Sequence, residues 1–235
     1  MPEEDDVLQE SDVEPGDKGI AAQASVMAAQ AGAFVDKLLD VGIDGRGPFD
    51  SAQNVADGAL SGHGDAEQAI DAVIRSHVRA AAAGGFVTGL GGFFTLPLAL
   101  PVNVLEFYAI ATRMVATVAC LRGYDLRQQG VRSAVLLTLV GADAEDLLRG
   151  AGVQHSGRLA GLATSRLPGP ALMVLNKAIG FRLVARVGRS AAPRLGRGVP
   201  IVGGVLGAGF DVFLLRRIAD QARREFPHAP AALGR

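Results

Sequence analysis

Apolar side chains recur at intervals of three and four residues along most of this chain, which places them on one face of successive α-helices. In the helix predicted after Pro101, for example, Val104, Leu105, Tyr108 and Ala111 follow this spacing. The apolar residues are mostly Ala, Val and Leu, and because Ala and Leu favour helix, the pattern predicts an all-α fold. The predicted helices cover about residues 20–39, 51–60, 65 into the glycine-rich stretch 84–92, 101–121, 125–140, 143–148, 156–167, 171–187 and 200–226.

The longest uncharged run of the chain, residues 80–105, holds 26 consecutive residues without a formal charge. Its length and hydrophobicity would suit a membrane-spanning helix. Pro97 and Pro101, however, each remove a helical hydrogen-bond donor, and five glycines interrupt the same run. The pattern therefore favours a hairpin of two helices with a break between them. Its apolar hairpin residues are Phe86, Phe93, Phe94, Leu96, Pro97 and Pro101.

A second glycine-rich apolar segment, residues 198–210, also lacks charge but is too short to span a bilayer. Small residues such as Gly203, Gly204 and Gly207 allow two helices to approach closely. We therefore expect this segment to pack against the helix that contains Gly84–Gly92. The sequence thus predicts an all-α, multi-helix bundle around a Gly/Pro-rich central helical hairpin.

Three positions are predicted to mark helix ends. Asp65, with Gln68 three residues later, has the pattern of a capping box at a helix N-terminus. Asp143 is placed to cap the short helix that follows it. Gly123 is a typical C-terminal stop for the long helix before it.

Charge is distributed unevenly, although the net charge is only −1. Residues 1–18 hold eight acids and one base, a composition typical of a disordered tail. This tail is either a solubilising arm or an intramolecular mask over the basic region. Between residues 158 and 197 there are eight bases and no acid. The basic face predicted there consists of Arg158, Arg166, Arg186, Arg189, Arg194 and Arg197.

Composition limits the class of protein. Hydrophobic residues make up 49% of the chain and the mean hydropathy is +0.27, which is high for a soluble protein. Trp is absent and Tyr is rare, whereas membrane proteins carry both at their interfaces, so an integral membrane protein is disfavoured. The acidic N-terminus lacks the pattern of a signal peptide, so we expect a cytoplasmic protein, either free or on the inner face of the plasma membrane. The single cysteine, Cys120, excludes an internal disulfide and is predicted to be a buried, inert thiol.

No motif for catalysis accompanies these patterns. The four histidines lack the spacing of metal ligands. The glycine-rich stretches 89–92 and 203–207 lack the Gly-Lys-Ser/Thr ending of a phosphate loop, and no Gly-x-Ser-x-Gly elbow occurs. Aromatic residues are also sparse in the basic region, which disfavours nucleic acid as a partner. The sequence therefore predicts no catalytic residue, metal or cofactor.

Several charges interrupt the apolar helices, and a buried charge persists only when it is paired. They are predicted to form a network that either locks the bundle or holds the head group of a ligand. A pair between Glu106 or Asp211 and Lys177 or Arg182 is the expected lock. The predicted members are Glu106, Arg113, Lys177, Arg182 and Asp211.

Several motifs, in order along the chain, resemble the EcsC family, and in particular its actinobacterial-type members. They are GFVTGLGGFFTLPLALP (85–101), RGYD (122–125), LLTLVGADAEDLL (136–148), NKAIGFR (176–182), VPIVGGVLGAGFD (199–211) and RRIADQARREF (216–226). The resemblance implies an α-helical bacterial protein associated with an ABC-transporter operon, and hence a membrane-proximal accessory without assigned catalytic residues. Many members of the family carry an acidic residue between the two prolines, where this chain has Ala99, so the resemblance implies no role for a carboxylate at this position.

With this resemblance, the chain divides into a tail (1–18), an N-terminal helix and glycine-rich loop (19–64), an EcsC-like helical domain (65–227) and a C-terminal tail (228–235). The first function hypothesis is a non-enzymatic, membrane-associated protein. Its hairpin and basic face would engage anionic lipid or a membrane protein, for which the family association suggests an ABC transporter. The alternative is a soluble helical protein that binds a lipid-like ligand in an internal cavity, with or without hydrolase or transferase activity. A third is a scaffold whose glycine-rich helices form a tight core. The sequence leaves the oligomeric state open.

Overall fold

The computed structural model of the chain describes residues 15–46, 49–91, 96–165, 167–191 and 200–229. These residues form a helical bundle without a β-strand among them, which confirms the predicted all-α fold. The α-helices are α1 (Pro15–Leu38), α2 (Ala52–His63), α3 (Ala66–Gly91), α4 (Leu96–Leu121), α5 (Gln129–Val140), α6 (Ala144–Gly150), α7 (Gly169–Ala191) and α8 (Pro200–Glu225). A π-helical turn spans Leu39–Ile43, and 3₁₀ turns span Gly141–Asp143 and Leu159–Thr164.

The core of the bundle is formed by α5 and the second half of α4. Residues 133–140 of α5 and residues 114–119 of α4 are buried on every side. A helix that is apolar all round must be covered on all of its faces. Accordingly, α4 packs against α1, α2, α3 and α8, while α5 packs against α4, α7, α8 and the 3₁₀ turn at 159–164.

Two buried threonines of α4 and α5 satisfy their hydrogen bonds within their own helix. The hydroxyl of Thr112 donates to the carbonyl oxygen of Tyr108 at 2.6 Å, and the hydroxyl of Thr138 donates to that of Ala134 at 2.8 Å. A hydroxyl bonded to the backbone of its own helix can be buried without the cost of an unpaired donor. These threonines therefore fit an apolar core.

Two of the three predicted helix ends are confirmed. The amide of Gln68 donates to Asp65 Oδ2 at 3.0 Å, which is the expected N-terminal cap of α3. Gly123 has a φ of +88° directly after α4, a conformation that favours glycine at a helix end. The predicted cap at Asp143 is wrong, because this residue sits at the N-cap position of α6 without a capping hydrogen bond.

Some helix boundaries differ from the prediction. The first helix begins at Pro15 rather than near residue 20, and α4 begins at Leu96, ahead of Pro101. Pro97 lies in the first turn of α4, where the missing amide donor has no helical acceptor in any case. The predicted α-helix at 156–167 is wrong, because a 3₁₀ turn occupies 159–164.

The two glycine-rich helices do pack together, as α3 lies against both α4 and α8. The turn between α3 and α4, residues 92–95, lies outside the described residues, so the central hairpin stays a prediction. The contacts expected at Gly84–Gly92 and at Gly203, Gly204 and Gly207 also fall where the structure describes the helix backbone alone. Close glycine packing is found elsewhere: a methyl group on Gly180 of α7 would lie 2.1 Å from the carbonyl oxygen of Ala31 in α1.

Candidate functional site

One end of the bundle is held by ion pairs between helix termini. At the start of α3, Glu67 accepts a hydrogen bond of 3.0 Å from Arg122, which directly follows α4. One turn later, Asp71 pairs with Arg223 near the end of α8. His228 also lies 3.5 Å from Glu67. We call this end, where α3 begins and α4 and α8 finish, the polar end.

These contacts mean that α3 runs antiparallel to α4 and to α8. The last residue of α3 and the first residues of α4 and α8 therefore meet at the opposite end, about 35–39 Å away at 1.5 Å per residue. The terminal parts of all three helices there lack charge: residues 80–91 of α3, 96–105 of α4 and 200–210 of α8. We call this the uncharged end. It brings together two stretches that are more than 90 positions apart in the sequence.

The uncharged end has a common depth. Its segments contain 12 residues of α3, 10 of α4 and 11 of α8, which correspond to about 15–18 Å along each helix axis. The first charged residues towards the polar end are Glu106 on α4 and Asp211 on α8. Glu106 lies about 24 Å along the helix from Arg122, and Asp211 lies about 18 Å from Arg223. Arg223 pairs with Asp71, which is one turn further along α3 than Glu67, the partner of Arg122. The carboxylates of Glu106 and Asp211 therefore lie at a similar distance from the polar end. Charge therefore begins at nearly the same level on both helices.

Aromatic and basic side chains lie next to this boundary on α8. Phe210 and Phe213 are exposed, the latter with 58% of its surface accessible. Arg216 and Arg217 follow one turn later and are exposed as well. Among the described side chains of α8, the exposed ones thus change from aromatic at 210 and 213 to basic at 216 and 217. Such an order is typical of helices that lie in a membrane interface.

The C-terminal end of α7 is near the uncharged end. Only eight residues, 192–199, connect Ala191 at the end of α7 to Pro200 at the start of α8. Leu162, seven residues before α7, packs against Gly130 at the start of α5, whereas Arg182 of α7 lies 3.7 Å from Asp143 after the end of α5. The helix α7 therefore runs in the same direction as α5, which starts seven residues after Arg122 of the polar end and leads away from it. Arg182, Arg186 and Arg189 occupy the last part of α7 and therefore belong to the same half of the bundle as the uncharged end.

The predicted basic face is divided between the two ends. Arg158 is exposed and precedes Leu159, whose amide donates to Glu225 Oε2 at 2.7 Å. Since Glu225 is the last residue of α8, Arg158 lies at the polar end, apart from Arg186 and Arg189. Three further predicted members lie outside the described residues, namely Arg166, Arg194 and Arg197.

The predicted network of buried charges is wrong for two of its members. Glu106 and Lys177 are exposed, so neither needs a buried partner. Arg182 is partly exposed and lies 3.7 Å from Asp143, which was predicted to be a helix cap. Asp211 is half-buried. The sequence pattern missed the Arg182–Asp143 pair because spacing along one helix carries no information about a neighbouring helix.

Arg113, another predicted member, makes contacts with two residues of a different segment. Its Nη2 donates to the carbonyl oxygen of Val41 at 2.9 Å, and its guanidinium carbon lies 4.6 Å from the centre of the Phe49 ring. Burial lowers the pKa of Arg113, and the negative charge of Asp50 opposes that effect. The contacts tie the π-helical turn to α4. Val41 and Phe49 carry no sequence signal for this role, since they are 72 and 64 positions away.

His77 on α3 faces the same region. Its Nδ1 lies 2.8 Å from the carbonyl oxygen of Val73, one turn earlier, so the neutral ring donates there. Burial is the main cause that lowers the pKa of His77, and the positive charge of Arg113 lowers it further. The hydrogen bond to Val73 raises the pKa, but by less. His77 is thus partly buried at the edge of the bundle core.

The predicted hairpin residues cannot be assigned contacts. Phe93 and Phe94 lie outside the described residues, as do the side chains of Phe86, Leu96, Pro97 and Pro101. In the described part of the chain, no three His, Cys, Asp or Glu side chains cluster as metal ligands would. None of the described helices is both long enough and apolar enough to cross a membrane.

Residues 50–227 match the sequence model of the EcsC protein family. The match covers about three quarters of the chain and includes α2 to α8. Comparison with curated proteins and with solved structures finds no match.

Proposed function

We propose that this chain, which belongs to the EcsC protein family, is a membrane-associated protein whose uncharged end enters one leaflet of an anionic bilayer. The observation that carries the proposal is the convergence of three uncharged helix ends. A single charge-free segment can be explained as core. Three that meet at one end of a bundle leave these helix ends without a charged side chain over about 15–18 Å.

The depth of the uncharged end supports insertion into half of a bilayer. The hydrocarbon core of a membrane is about 30 Å thick, so one leaflet offers about 15 Å. Glu106 and Asp211 would then lie at the level of the lipid head groups, where charged side chains remain hydrated. Within each of the three helices the backbone groups bond to one another, as the hydrocarbon region requires.

The charges around the uncharged end suit an anionic surface. Arg186 and Arg189 at the end of α7, and Arg216 and Arg217 on α8, are all in this half of the bundle or next to its boundary. Each exposed base near an anionic membrane contributes about 1 kcal/mol. The exposed rings of Phe210 and Phe213 would lie between these bases and the hydrocarbon. Together they would orient the bundle with its polar end towards the cytoplasm.

Co-sedimentation with vesicles tests the proposal. The full chain should pellet with vesicles of phosphatidylglycerol and phosphatidylcholine, and less so with phosphatidylcholine alone. Binding should weaken as salt rises from about 0.1 M to about 1 M, because the Debye length falls from about 10 Å to about 3 Å. Absence of pelleting with every vesicle composition would contradict the proposal, and capture by a membrane protein in lipid-free detergent would indicate a protein partner instead.

A matched pair of substitutions tests the orientation. Phe213→Asp replaces an exposed ring beside the uncharged end, and we expect a loss of affinity of about tenfold or more, since burial of one large apolar side chain contributes about 1.5–3 kcal/mol. Leu60→Asp is the control, because Leu60 is also exposed but lies on α2, which packs near the polar end. Both side chains are exposed, so neither change should unfold the protein. Equal effects of the two substitutions would contradict the proposed orientation.

A further inference from the structure

The N-terminus of α1 and the C-terminus of α7 extend from the bundle in the same direction. Asp44, after α1, pairs with Arg132 at the start of α5, while Arg182 of α7 lies against Asp143 at the end of α5. The two helices touch at Ala31 and Gly180. From its contact with α7 at Ala31, α1 runs towards the start of α5. From the same contact at Gly180, α7 runs past the end of α5. The helices α1 and α7 are therefore antiparallel.

Distances along the two helices place their free ends close together. Pro15 lies 16 residues before Ala31, or about 24 Å, and Ala191 lies 11 residues after Gly180, or about 16 Å in the same direction. Residues 1–14 precede α1 and can reach up to about 45 Å. The chain ahead of α1 therefore starts within reach of the last two turns of α7, which themselves lie near the uncharged end.

The two segments have opposite charge. Residues 1–14 contain seven acids and no base: Glu3, Glu4, Asp5, Asp6, Glu10, Asp12 and Glu14. The helix α7 contains four bases and no acid, and no acid occurs anywhere between Asp146 and Asp211. Arg182 pairs with Asp143, and Arg186 and Arg189 are the other two bases in the C-terminal half of α7.

We propose that the acidic segment 1–14 docks on the basic end of α7, at Arg186 and Arg189, and that anionic lipid displaces it. The intramolecular contact follows from the placement and charge of the two segments. The competition with lipid rests on the proposed function, because it requires α7 to approach the bilayer. The segment would lower the affinity of the protein for weakly anionic surfaces and yield to strongly anionic ones, since local lipid charge then exceeds that of seven acids.

The contact itself can be measured without lipid. A spin label on Ser11→Cys should broaden the amide signals of the last turns of α7 in the full chain at about 0.05 M salt, and the broadening should vanish near 1 M salt. Cys120 is replaced by serine in this variant, because its thiol is only partly buried and would otherwise compete for the label. In a variant with all seven acids replaced by their amides, the broadening should be absent at low salt. Unbroadened α7 signals at low salt, or broadening that survives the seven replacements, would overturn the docking.

The competition is measured with the same seven-amide variant and vesicles that contain phosphatidylglycerol. We expect this variant to bind about tenfold more tightly than the native chain at about 0.05 M salt and equally at high salt. Adding Arg186→Gln and Arg189→Gln to the variant should abolish the gain. If both chains bind vesicles equally at low salt, the competition is wrong while the proposed function stands. If neither binds, the proposed function and the competition fail together, and the spin-label result alone decides the docking.

Discussion

Asp71 at the start of α3 and Arg223 at the end of α8 are 152 positions apart in the sequence and form an ion pair. With the pair between Glu67 and Arg122, this contact aligns α3 antiparallel to both of its long neighbours. The alignment is what brings the three uncharged helix ends together. The polar end thus determines, through rigid helices of 26 residues each, which side chains meet at the far end.

The Glu67–Arg122 pair should stabilise the fold more than an ordinary surface pair. Only 12% of the Arg122 side chain is exposed, which strengthens the ion pair. The side chain of Glu67 is 44% exposed, so water screens part of the attraction. In a double-mutant cycle with Glu67→Gln and Arg122→Met, we expect a coupling of about 1–2 kcal/mol in the free energy of unfolding. The control is the pair of Asp146 and Arg149, which is largely exposed and should give less than about 0.5 kcal/mol. Similar coupling in both cycles would contradict a special role for Arg122.

The close approach of α1 and α7 should make Gly180 intolerant of a side chain. The first carbon of any side chain there would lie 2.1 Å from the carbonyl oxygen of Ala31, so the two backbones must separate. We expect Gly180→Ala to lower the free energy of unfolding by about 1–3 kcal/mol in a urea titration. Gly58→Ala in α2 meets no atom within 4 Å and should instead raise it by about 0.5–1 kcal/mol. A neutral Gly180→Ala would show that the helices are not in close contact.

His77 should make the protein sensitive to mild acid. Burial, its largest influence, holds the pKa of His77 below the ordinary 6.5, so between that lowered value and about 6.5 the unfolded state binds a proton that the folded state does not. Stability therefore falls as pH drops through this window, and the effect is absent above it. Urea titrations at several pH values should show a flatter pH dependence for His77→Gln than for the native chain. The matched control is His63→Gln, on the exposed end of α2, and an identical slope in all three chains would contradict the prediction.

Cys120 should resist alkylation until the protein unfolds. Burial, with the nearby negative charges of Asp57 and Asp125, raises the pKa of the Cys120 thiol to about 12. The thiolate is the reactive form, so at about pH 8 iodoacetamide should react about a thousandfold more slowly with the native protein than in urea. A cysteine introduced at Ser11 gives the reference rate for an ordinary thiol. A native Cys120 that reacts within tenfold of that reference would be inconsistent with the raised pKa.

Local features of the fold were readable from the sequence because they depend on neighbours within a few positions. The cap at Asp65 and the stop at Gly123 need only the side chain or conformation of residues in the same turn. Predictions failed where a distant group competed. Asp143 was expected to cap α6, but it lies beside Arg182 of α7, which is 39 positions away. The turn at 159–164 is 3₁₀ rather than α, and its Leu162 packs against Gly130 so closely that no side chain would fit.

By itself, the sequence determined the helical class, most helix positions, the two uncharged segments and the opposite charges of residues 1–18 and 158–197. These follow from composition and from spacing of three and four residues, which are local properties. Only the tertiary structure decided that the uncharged segments share one end, that Arg158 lies apart from Arg186 and Arg189, and that Glu106 and Lys177 are exposed. Each of these depends on which helix lies beside which, and that is set by packing and ion pairs between residues tens of positions apart, for which a linear pattern carries no signal.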